Sequence, residues 1–282
     1  MEPRLRPFKQ VDVFTDRPFF GNPVAVVLDA SGLSTADMQQ IAQWTNLSET
    51  TFVLPPEDPA ASYKVRIFTP RAELPFAGHP TLGTAHAVAE AGIVAPEAGR
   101  LVQQCAVGLV EVEIGAARRS FRLPRYAAAP APEPELLARA LGQSPVAPPQ
   151  ILDVGPRWVI LELASAADVR ALVPDLALLA DYDRRHGTTG LTLFAREGAG
   201  ADLAVRSFAP ADGIPEDPVC GSGNGAVAAY RLLAGQLADG DHYTASQGRE
   251  VGRDGRIDIR ITGTEVHVGG QCVTCLTGHI AL

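Results

Sequence analysis

The chain has 282 residues, of which 46% are hydrophobic and 20% are charged, so it can bury a sizeable core as one large domain or two of ordinary size. Its formal net charge of −8 argues against nucleic acid or an anionic membrane as the main partner, because both attract clustered lysine and arginine. The sequence shows neither the apolar core of a secretory signal in MEPRLRPFKQ nor the roughly 18 consecutive apolar residues of a membrane span, so we expect a cytoplasmic protein.

The first half of the chain predicts a strand, a helix and a second strand. The run GNPVAVVL at residues 21–28 predicts the first strand, and TFVL at residues 51–54 predicts the second. Between them, Ser34 and Asp37 have the spacing of a helix-capping pair, and apolar residues at helical spacing follow. The segment NLSETTF ends this helical pattern and places one carboxylate, Glu49, among hydroxyl residues just before the second strand.

The second half repeats this order. GPRWVILE at residues 155–162 parallels GNPVAVVL, and LTLF at residues 191–194 parallels TFVL. Ser165 and Asp168 form a second capping pair. Behind this pair, three apolar residues take helical spacing: Val169, Leu172 and Val173.

Each half also contains R-x-F-x-P, followed by a glycine-rich turn and an alanine-rich helix. The motif occurs in RIFTPRAELP (66–75) and RSFAPADGIP (206–215). The turns follow in LPFAGHPTLGTAHAVA (74–89) and IPEDPVCGSGNGAVAA (214–229). A repeat with a period of half the chain predicts two duplicated lobes that face each other across a cleft. The proline-rich residues 124–149 lie between the halves and predict a connector with a short helical piece near PELLARALG.

The fold class that we predict is α+β, because short runs of β-branched residues are bounded by turn residues and the helices are few and separate. The predicted domains are an N-terminal lobe at residues 1–125 and a C-terminal lobe at residues 126–282. A C-terminal strand near residues 270–282 is expected to return to the first lobe.

The two glycine-rich turns carry the residues that we expect to do chemistry. Glycines ahead of a helix expose its first backbone N–H groups, which together with the helix dipole attract a carboxylate or a phosphate. Neither turn has the pattern of a phosphate-binding loop or of a dinucleotide site. His79 lies on the first turn, and Asp217 and Cys220 lie on the second. With Glu49 they form a candidate acid/base set for moving a proton beside a carbonyl or conjugated acid.

Six segments of one pattern lie in order along essentially the whole chain: GNP, NLSETTF, RIFTP, FAGHPTLG, EDPVCGSGNG and SQGREVGRDG. They strongly resemble the phenazine-biosynthesis isomerase-like (PhzF-like) family. The resemblance implies the diaminopimelate-epimerase-like fold, with two pseudo-symmetric lobes that are each a β-sheet wrapped around a central helix, and with the active site between them. It also implies a homodimer and an isomerase that needs no cofactor and shifts a proton within a small anionic carboxylic acid.

By this resemblance, Glu49 matches the family's catalytic glutamate, which removes a proton from one substrate carbon and returns it elsewhere. The other matched positions are substrate-binding residues: Gly78, His79, Asp217, Gly221 and Ser222. The two glycines would offer backbone N–H groups to the substrate carboxylate, and the other residues would surround and position the substrate.

Cys220 departs from the family, which commonly has threonine at this position. The resulting C-G-S-G resembles the second acid/base turn of the cofactor-independent epimerases, whose first cysteine would fall at Ala77. A thiolate at a helix N-terminus is expected to have a lowered pKa. Two alternatives therefore stand beside the isomerase: a racemase or epimerase that pairs Cys220 with Glu49, and a small-molecule-binding homologue without catalysis.

Neither a metal site nor a disulfide framework is predicted. The cysteines Cys105, Cys220, Cys272 and Cys275 are few and irregularly spaced, so we expect reduced thiols. Cys272 and Cys275 form a lone C-x-x-C in a strand-like segment, which favours a structural role. The histidines other than His79 lack the H-x-x-x-H spacing of a helical metal site, and we predict no cofactor.

Overall fold

The computed structural model describes residues 4–198 and 200–282. The strands in these residues are β1 (Leu5–Val13), β2 (Asn22–Val27), β3 (Glu49–Leu54), β4 (Tyr63–Phe68), β5 (Glu73–Leu74), β6 (Arg100–Cys105), β7 (Gly108–Ile114), β8 (Arg118–Arg122), β9 (Ala127–Pro130), β10 (Gln150–Asp153), β11 (Arg157–Glu162), β12 (Gly190–Arg196), β13 (Leu203–Ala209), β14 (Ile214–Asp217), β15 (His242–Gln247), β16 (Gly255–Thr262) and β17 (Glu265–Ala281). The helices are α1 (Thr35–Thr45), α2 (Gly78–Glu90), α3 (Pro134–Leu141), α4 (Ala166–Ala171), α5 (Leu176–His186) and α6 (Gly221–Leu233). Single 3₁₀ turns occur at Pro210–Asp212 and Arg249–Val251.

The chain divides into two compact units. The first unit contains the residues up to Arg122 together with Gly269–Leu282, and the second contains Leu123–Val268. The first residues of β17, Glu265–Val268, therefore belong to the second unit, and the rest of this strand belongs to the first.

The first unit combines antiparallel and parallel strand pairs. β1 pairs antiparallel with β17 and with β2, and β2 runs parallel to β3 with Val24 opposite Glu49. β3 pairs antiparallel with β4, which pairs antiparallel with β5 and parallel with β6. β6, β7 and β8 continue as an antiparallel meander. α1 connects β2 to β3, because two neighbouring parallel strands need a crossover connection and cannot be joined by a tight turn.

The two helices of the first unit are buried to different extents. α1 begins with the predicted Ser34–Asp37 capping box, which is confirmed. One face of α1 packs on the sheet in an apolar cluster that contains Val27, Met38, Ile41, Ala42, Phe52 and Phe68. α2 is buried from Gly78 to Val88, and small residues allow the strands to approach it closely. A Cβ atom added at Gly83 would lie 2.4 Å from Cγ1 of Val24, so α2 lies directly on β2.

The second unit shows the same succession of strand pairs. β9, β10 and β11 pair antiparallel in sequence order. β11 runs parallel to β12, β12 antiparallel to β13, and β13 parallel to β15, as β2, β3, β4 and β6 do in the first unit. α6 is almost wholly buried, like α2. Residues from α3, α4 and α5 share an apolar cluster with the strands, including Leu137, Val169, Leu179, Tyr182, Leu193 and Phe208.

Two predictions for the second unit are wrong. Residues 124–149 were predicted as a connector with a short helical piece near PELLARALG. The helical piece is confirmed as α3, but the segment also contains β9, and α3 buries Leu137 and Leu141 in the apolar cluster, so it is part of this unit and not a connector. The helix behind Ser165 ends at Ala171, before the predicted Val173, which is 89% exposed. Pro174 explains this early end, because the residue before a proline disfavours helical backbone angles.

None of the helices within residues 4–198 and 200–282 has both the length and the apolar content needed to cross a bilayer.

The four cysteines are free thiols: Cys105, Cys220, Cys272 and Cys275. Cys272 is buried in β17, and burial raises the pKa of its thiol to about 12, as expected for a thiol that packs and does not react.

Candidate active site

Glu49 begins β3, just after the chain leaves α1. α1 ends at Thr45, and Asn46 takes a left-handed conformation with φ of 53°, which turns the chain back towards the sheet. β3 then runs beside β2 with Glu49 opposite Val24. The Glu49 side chain is only 13% exposed, so its carboxyl group is largely shielded from water.

His79 lies in the first turn of α2 and contacts Glu49. The Nε2 atom of His79 is 3.2 Å from Oε2 of Glu49, and the imidazole also hydrogen bonds to the backbone of Pro23. Burial lowers the pKa of His79 to about 3, and the hydrogen bond to Pro23 opposes this shift only in part. The imidazole is therefore uncharged at neutral pH. Since the nitrogen that donates to the Pro23 carbonyl carries the one proton of the ring, Nε2 is unprotonated and can accept a hydrogen bond.

An uncharged imidazole gives Glu49 a partner without fixing it in an ion pair. When Glu49 is protonated, its carboxyl group can donate a hydrogen bond to Nε2 of His79. When Glu49 is ionised, no positive charge on the ring opposes the return of a proton. The contact is therefore suited to a carboxyl group that repeatedly gains and loses a proton.

The start of α2 offers backbone N–H groups to an anion. The residue before the helix is Ala77, and no described side chain caps the helix there. The helix begins with Gly78 and His79, followed by Pro80, which has no N–H. The N–H groups of Gly78 and His79, together with the helix dipole, favour negative charge at this end.

The second glycine-rich turn holds Asp217, Cys220 and Ser222 close together. Oδ1 of Asp217 accepts the N–H of Val219 at 3.1 Å, and the Cys220 thiol hydrogen bonds to the Asp217 carboxyl group. Sγ of Cys220 accepts the N–H of Gly223 at 3.2 Å and so caps α6. The same sulfur lies 3.6 Å from Oγ of Ser222. The thiol is thus a buried member of a hydrogen-bonded turn.

The pKa of Cys220 corrects a sequence prediction. Burial raises the pKa of this thiol well above its ordinary value, and the nearby charge of Asp217 raises it further. The predicted lowering at a helix N-terminus is therefore wrong, because desolvation and the neighbouring acid outweigh the hydrogen bonds from Ser222 and Gly223. Burial likewise raises the pKa of Asp217 to about 6, against hydrogen bonds from Cys220 and Val219.

The raised pKa of Asp217 predicts a pH-dependent effect of Asp217→Asn on stability. A carboxyl pKa that folding raises from 3.8 to about 6 contributes stability at low pH, and this contribution is lost as the pH rises through 6. Asparagine avoids that loss, so the variant is expected to gain about 3 kcal/mol over the wild type at pH 8 and little at pH 4. Urea unfolding at both pH values measures the difference. A difference in the free energy of unfolding between variant and wild type that does not change with pH would contradict the raised pKa of Asp217.

Three buried side chains that were not among the predicted site residues support the second turn: Trp158, Asn224 and Gln247. Trp158 donates its indole N–H to Oγ of Ser222 at 3.0 Å, across 64 residues of sequence. Oε1 of Gln247 accepts the N–H of Cys220 at 3.1 Å and Nδ2–H of Asn224 at 2.8 Å. Trp158 and Gln247 lie in GPRWVILE and SQGREVGRDG, but no local spacing in either motif indicates its partner.

The sequence-predicted residues thus form two groups, each within one unit. The first group contains Glu49, Gly78 and His79. The second group contains Asp217, Cys220, Gly221 and Ser222. Each group combines one buried ionisable pair with the N-terminus of a buried helix. The helix N-terminus can bind an anion, and the ionisable pair can exchange a proton.

Comparison with known proteins shows the family. The model of the phenazine biosynthesis-like protein family (PhzC-PhzF) matches residues 11–278. The chain is 38% identical to trans-2,3-dihydro-3-hydroxyanthranilate isomerase of Pseudomonas chlororaphis, over 96% of this chain and 98% of that protein. It is 41% identical to antisense-enhancing sequence 1 of Schizosaccharomyces pombe, over 96% of this chain and 97% of the relative.

The fold also matches a solved structure. The crystal structure of the Bacillus anthracis phenazine biosynthesis protein of the PhzF family superposes with a TM-score of 0.88 and 24% identity, over 99% of this chain and all of that chain. The mixed α/β fold is therefore that of PhzF proteins. Because the family model spans nearly the whole chain and relatives of closely similar length are named as isomerases, the chain belongs to the PhzF-like family of phenazine biosynthesis-like isomerases.

Proposed function

We propose that this isomerase moves a proton within a small anionic carboxylic acid, that it needs no cofactor, and that Glu49 is its proton shuttle. The observation that carries the proposal is the 3.2 Å contact between Glu49 and an imidazole that burial keeps uncharged. Glu49 takes a proton from one carbon of the substrate and returns a proton at another. The enzyme ends the cycle in the protonation state in which it began, so the reaction consumes no co-reactant.

The other candidate residues bind and orient the substrate in this proposal. The N–H groups of Gly78 and Gly221, each at the start of a buried helix, bind the substrate carboxylate and stabilise negative charge that develops during proton removal. His79 holds the Glu49 carboxyl group in place. Asp217 and Ser222 contact polar groups of the substrate.

The substrate proposed first is trans-2,3-dihydro-3-hydroxyanthranilate, which the name of the 38% identical Pseudomonas chlororaphis relative specifies. The test incubates protein that has been dialysed against EDTA with this acid and with a panel of other cyclic or unsaturated carboxylic acids. We expect chromatography with mass spectrometry to detect an isomer of unchanged mass for at least one of them. Binding by calorimetry without any turnover across the panel would contradict the isomerase and favour the binding homologue.

The racemase alternative makes a separate prediction for Cys220→Ser. A racemase that used this thiol as a base would need it to ionise, whereas burial and Asp217 both oppose ionisation. We therefore expect Cys220→Ser to keep proton transfer within about tenfold of the wild type, because serine retains a hydroxyl donor for Asp217. Loss of substrate-carbon exchange as complete as that of a Glu49 variant would contradict the isomerase and support the racemase.

The quaternary organisation is proposed on the same family grounds. We propose a cytoplasmic homodimer whose chain consists of two duplicated lobes: residues 1–125, to which the C-terminal strand near residues 270–282 returns, and the rest of residues 126–282. The shared succession of strand pairs in the two units supports the duplication. Light scattering coupled to size exclusion tests the dimer, for which we expect twice the chain mass of 29.7 kDa.

A further inference from the structure

Gln247 ties together both ends of the turn that carries Asp217 and Cys220. Its Nε2–H donates to the backbone carbonyl of Asp217 at 2.9 Å, and its Oε1 accepts the backbone N–H of Cys220 at 3.1 Å. Asn224 completes the arrangement, because its Nδ2–H donates both to Oε1 of Gln247 at 2.8 Å and to the Cys220 carbonyl at 2.9 Å. One side-chain amide therefore sets the spacing of the turn.

The position of Gln247 is itself closely fixed. It is the last residue of β15, where it pairs with Val205 of β13 and Gly255 of β16. The next residue, Gly248, has φ of 98°, and a Cβ atom added there would lie 2.3 Å from the carbonyl oxygen of Pro218. The strand end thus packs directly on the turn. A shift of the turn would require either a shift of β15 or loss of the amide contacts.

A glutamine is the side chain that this position requires. The turn presents one carbonyl acceptor and one N–H donor, so the partner needs a donor and an acceptor on the same planar group. An ionised glutamate has acceptors only, and a leucine has neither. Removing the amide would leave buried polar groups of the turn without a partner, which costs more than one ordinary hydrogen bond contributes.

We propose that Gln247 is a positioning residue for the candidate active site. It holds the turn in the geometry in which the Cys220 thiol donates to Asp217 and the N–H of Gly221 lies at the start of α6. The relevance of this geometry to substrate rests on the proposed function, but the positioning of Cys220 does not. A readout on the thiol therefore tests the inference independently of any substrate.

The experiment measures the alkylation rate of each cysteine by iodoacetamide, using peptide mass spectrometry, in the wild type, Gln247→Leu and Leu179→Ala. Leu179 lies in the apolar cluster of the same unit, so its truncation destabilises that unit without touching the turn. The two variants are compared at urea concentrations at which they have the same free energy of unfolding. Under these conditions we expect iodoacetamide to alkylate Cys220 at least about tenfold faster in Gln247→Leu than in Leu179→Ala, a factor that corresponds to the loss of one buried hydrogen bond. Cys272, in the other unit, should react at the wild-type rate.

Gln247→Glu separates positioning from general loss of structure. A protonated glutamate has one donor and one acceptor, like the amide, whereas the ionised form lacks the donor for the Asp217 carbonyl. Relative to the wild type at the same pH, Cys220 in Gln247→Glu should react at close to the normal rate in acid and progressively faster as the pH rises. For Gln247→Leu, the ratio of the Cys220 alkylation rate to that of the wild type should not change with pH. The inference is overturned if Cys220 reacts no faster than in Leu179→Ala, or if the two Gln247 variants show the same pH dependence.

Discussion

Replacing Glu49 with glutamine is expected to lower kcat/KM for proton transfer by about 1000-fold, because a positioned acid/base group contributes 10² to 10⁴ in rate and an amide cannot exchange the proton. Glutamine keeps the size of the side chain. Its amide N–H can donate to Nε2 of His79, which lies 3.2 Å from Oε2 of Glu49. We therefore expect the thermal stability and the affinity for substrate to change little. The loss should fall on kcat.

The matched control for this experiment is Glu57→Gln, which makes the same chemical change in the same unit on a side chain that is 70% exposed. Its activity should equal that of the wild type. Glu49→Gln protein that retained more than about a tenth of the wild-type kcat would contradict the role of shuttle, because a general acid/base cannot contribute so little. Loss of activity in Glu57→Gln would show that the assay reports a general effect of charge.

Replacing Arg206 with leucine is expected to destabilise the protein by about 3–5 kcal/mol, because removing one partner leaves a buried charge uncompensated. Arg206 binds Glu216 through two contacts, Nε to Oε1 at 2.9 Å and Nη2 to Oε2 at 2.7 Å, with both side chains almost fully buried. Its Nη1 also donates to the carbonyls of Val169 and Leu172, at 3.1 and 2.7 Å. The guanidinium therefore joins β13 to β14 and to the end of α4.

The repeat in the sequence supplies the control for Arg206→Leu. Arg66 occupies the corresponding place in the first R-x-F-x-P motif and makes the same two contacts with Glu73, at 2.7 and 2.6 Å. That pair is more exposed, with Arg66 at 23% and Glu73 at 37%, so Arg66→Leu is expected to cost about 1 kcal/mol or less. Urea unfolding measures both variants. Equal losses would show that burial does not determine the strength of this pair.

The sequence correctly predicted the strands and helix caps that depend on interactions between residues close together in the chain. GNPVAVVL and TFVL are rich in β-branched or aromatic residues and form β2 and β3, and both serine caps form as the S-x-x-D spacing indicates. Val173 shows the limit of periodicity, since the following proline ended the helix before the apolar spacing did. Residues 124–149 show a second limit. Their prolines suggested a connector, and although the helical piece near PELLARALG was predicted, its burial of Leu137 and Leu141 in the core of the second unit was not.

The site residues were found by motif, but their chemistry depends on contacts that the sequence does not display. Glu49 and His79 lie on different elements, and their contact arises from the pairing of β2 with β3 over α2. The direction of the Cys220 pKa shift was mispredicted because the helix N-terminus was visible in sequence while burial and Asp217 were not. Gln247 could not be assigned for the same reason, because its partners lie 23 to 30 residues away.

The most direct test of the proposed proton shuttle is deuterium incorporation from heavy water into trans-2,3-dihydro-3-hydroxyanthranilate, followed by mass spectrometry for the wild type, Glu49→Gln and Cys220→Ser. The proposal predicts a product that carries one solvent deuterium on carbon with the wild type and with Cys220→Ser, and almost none with Glu49→Gln. Incorporation that survives in Glu49→Gln and disappears in Cys220→Ser would contradict it, because the thiol and not the carboxyl group would then carry the proton.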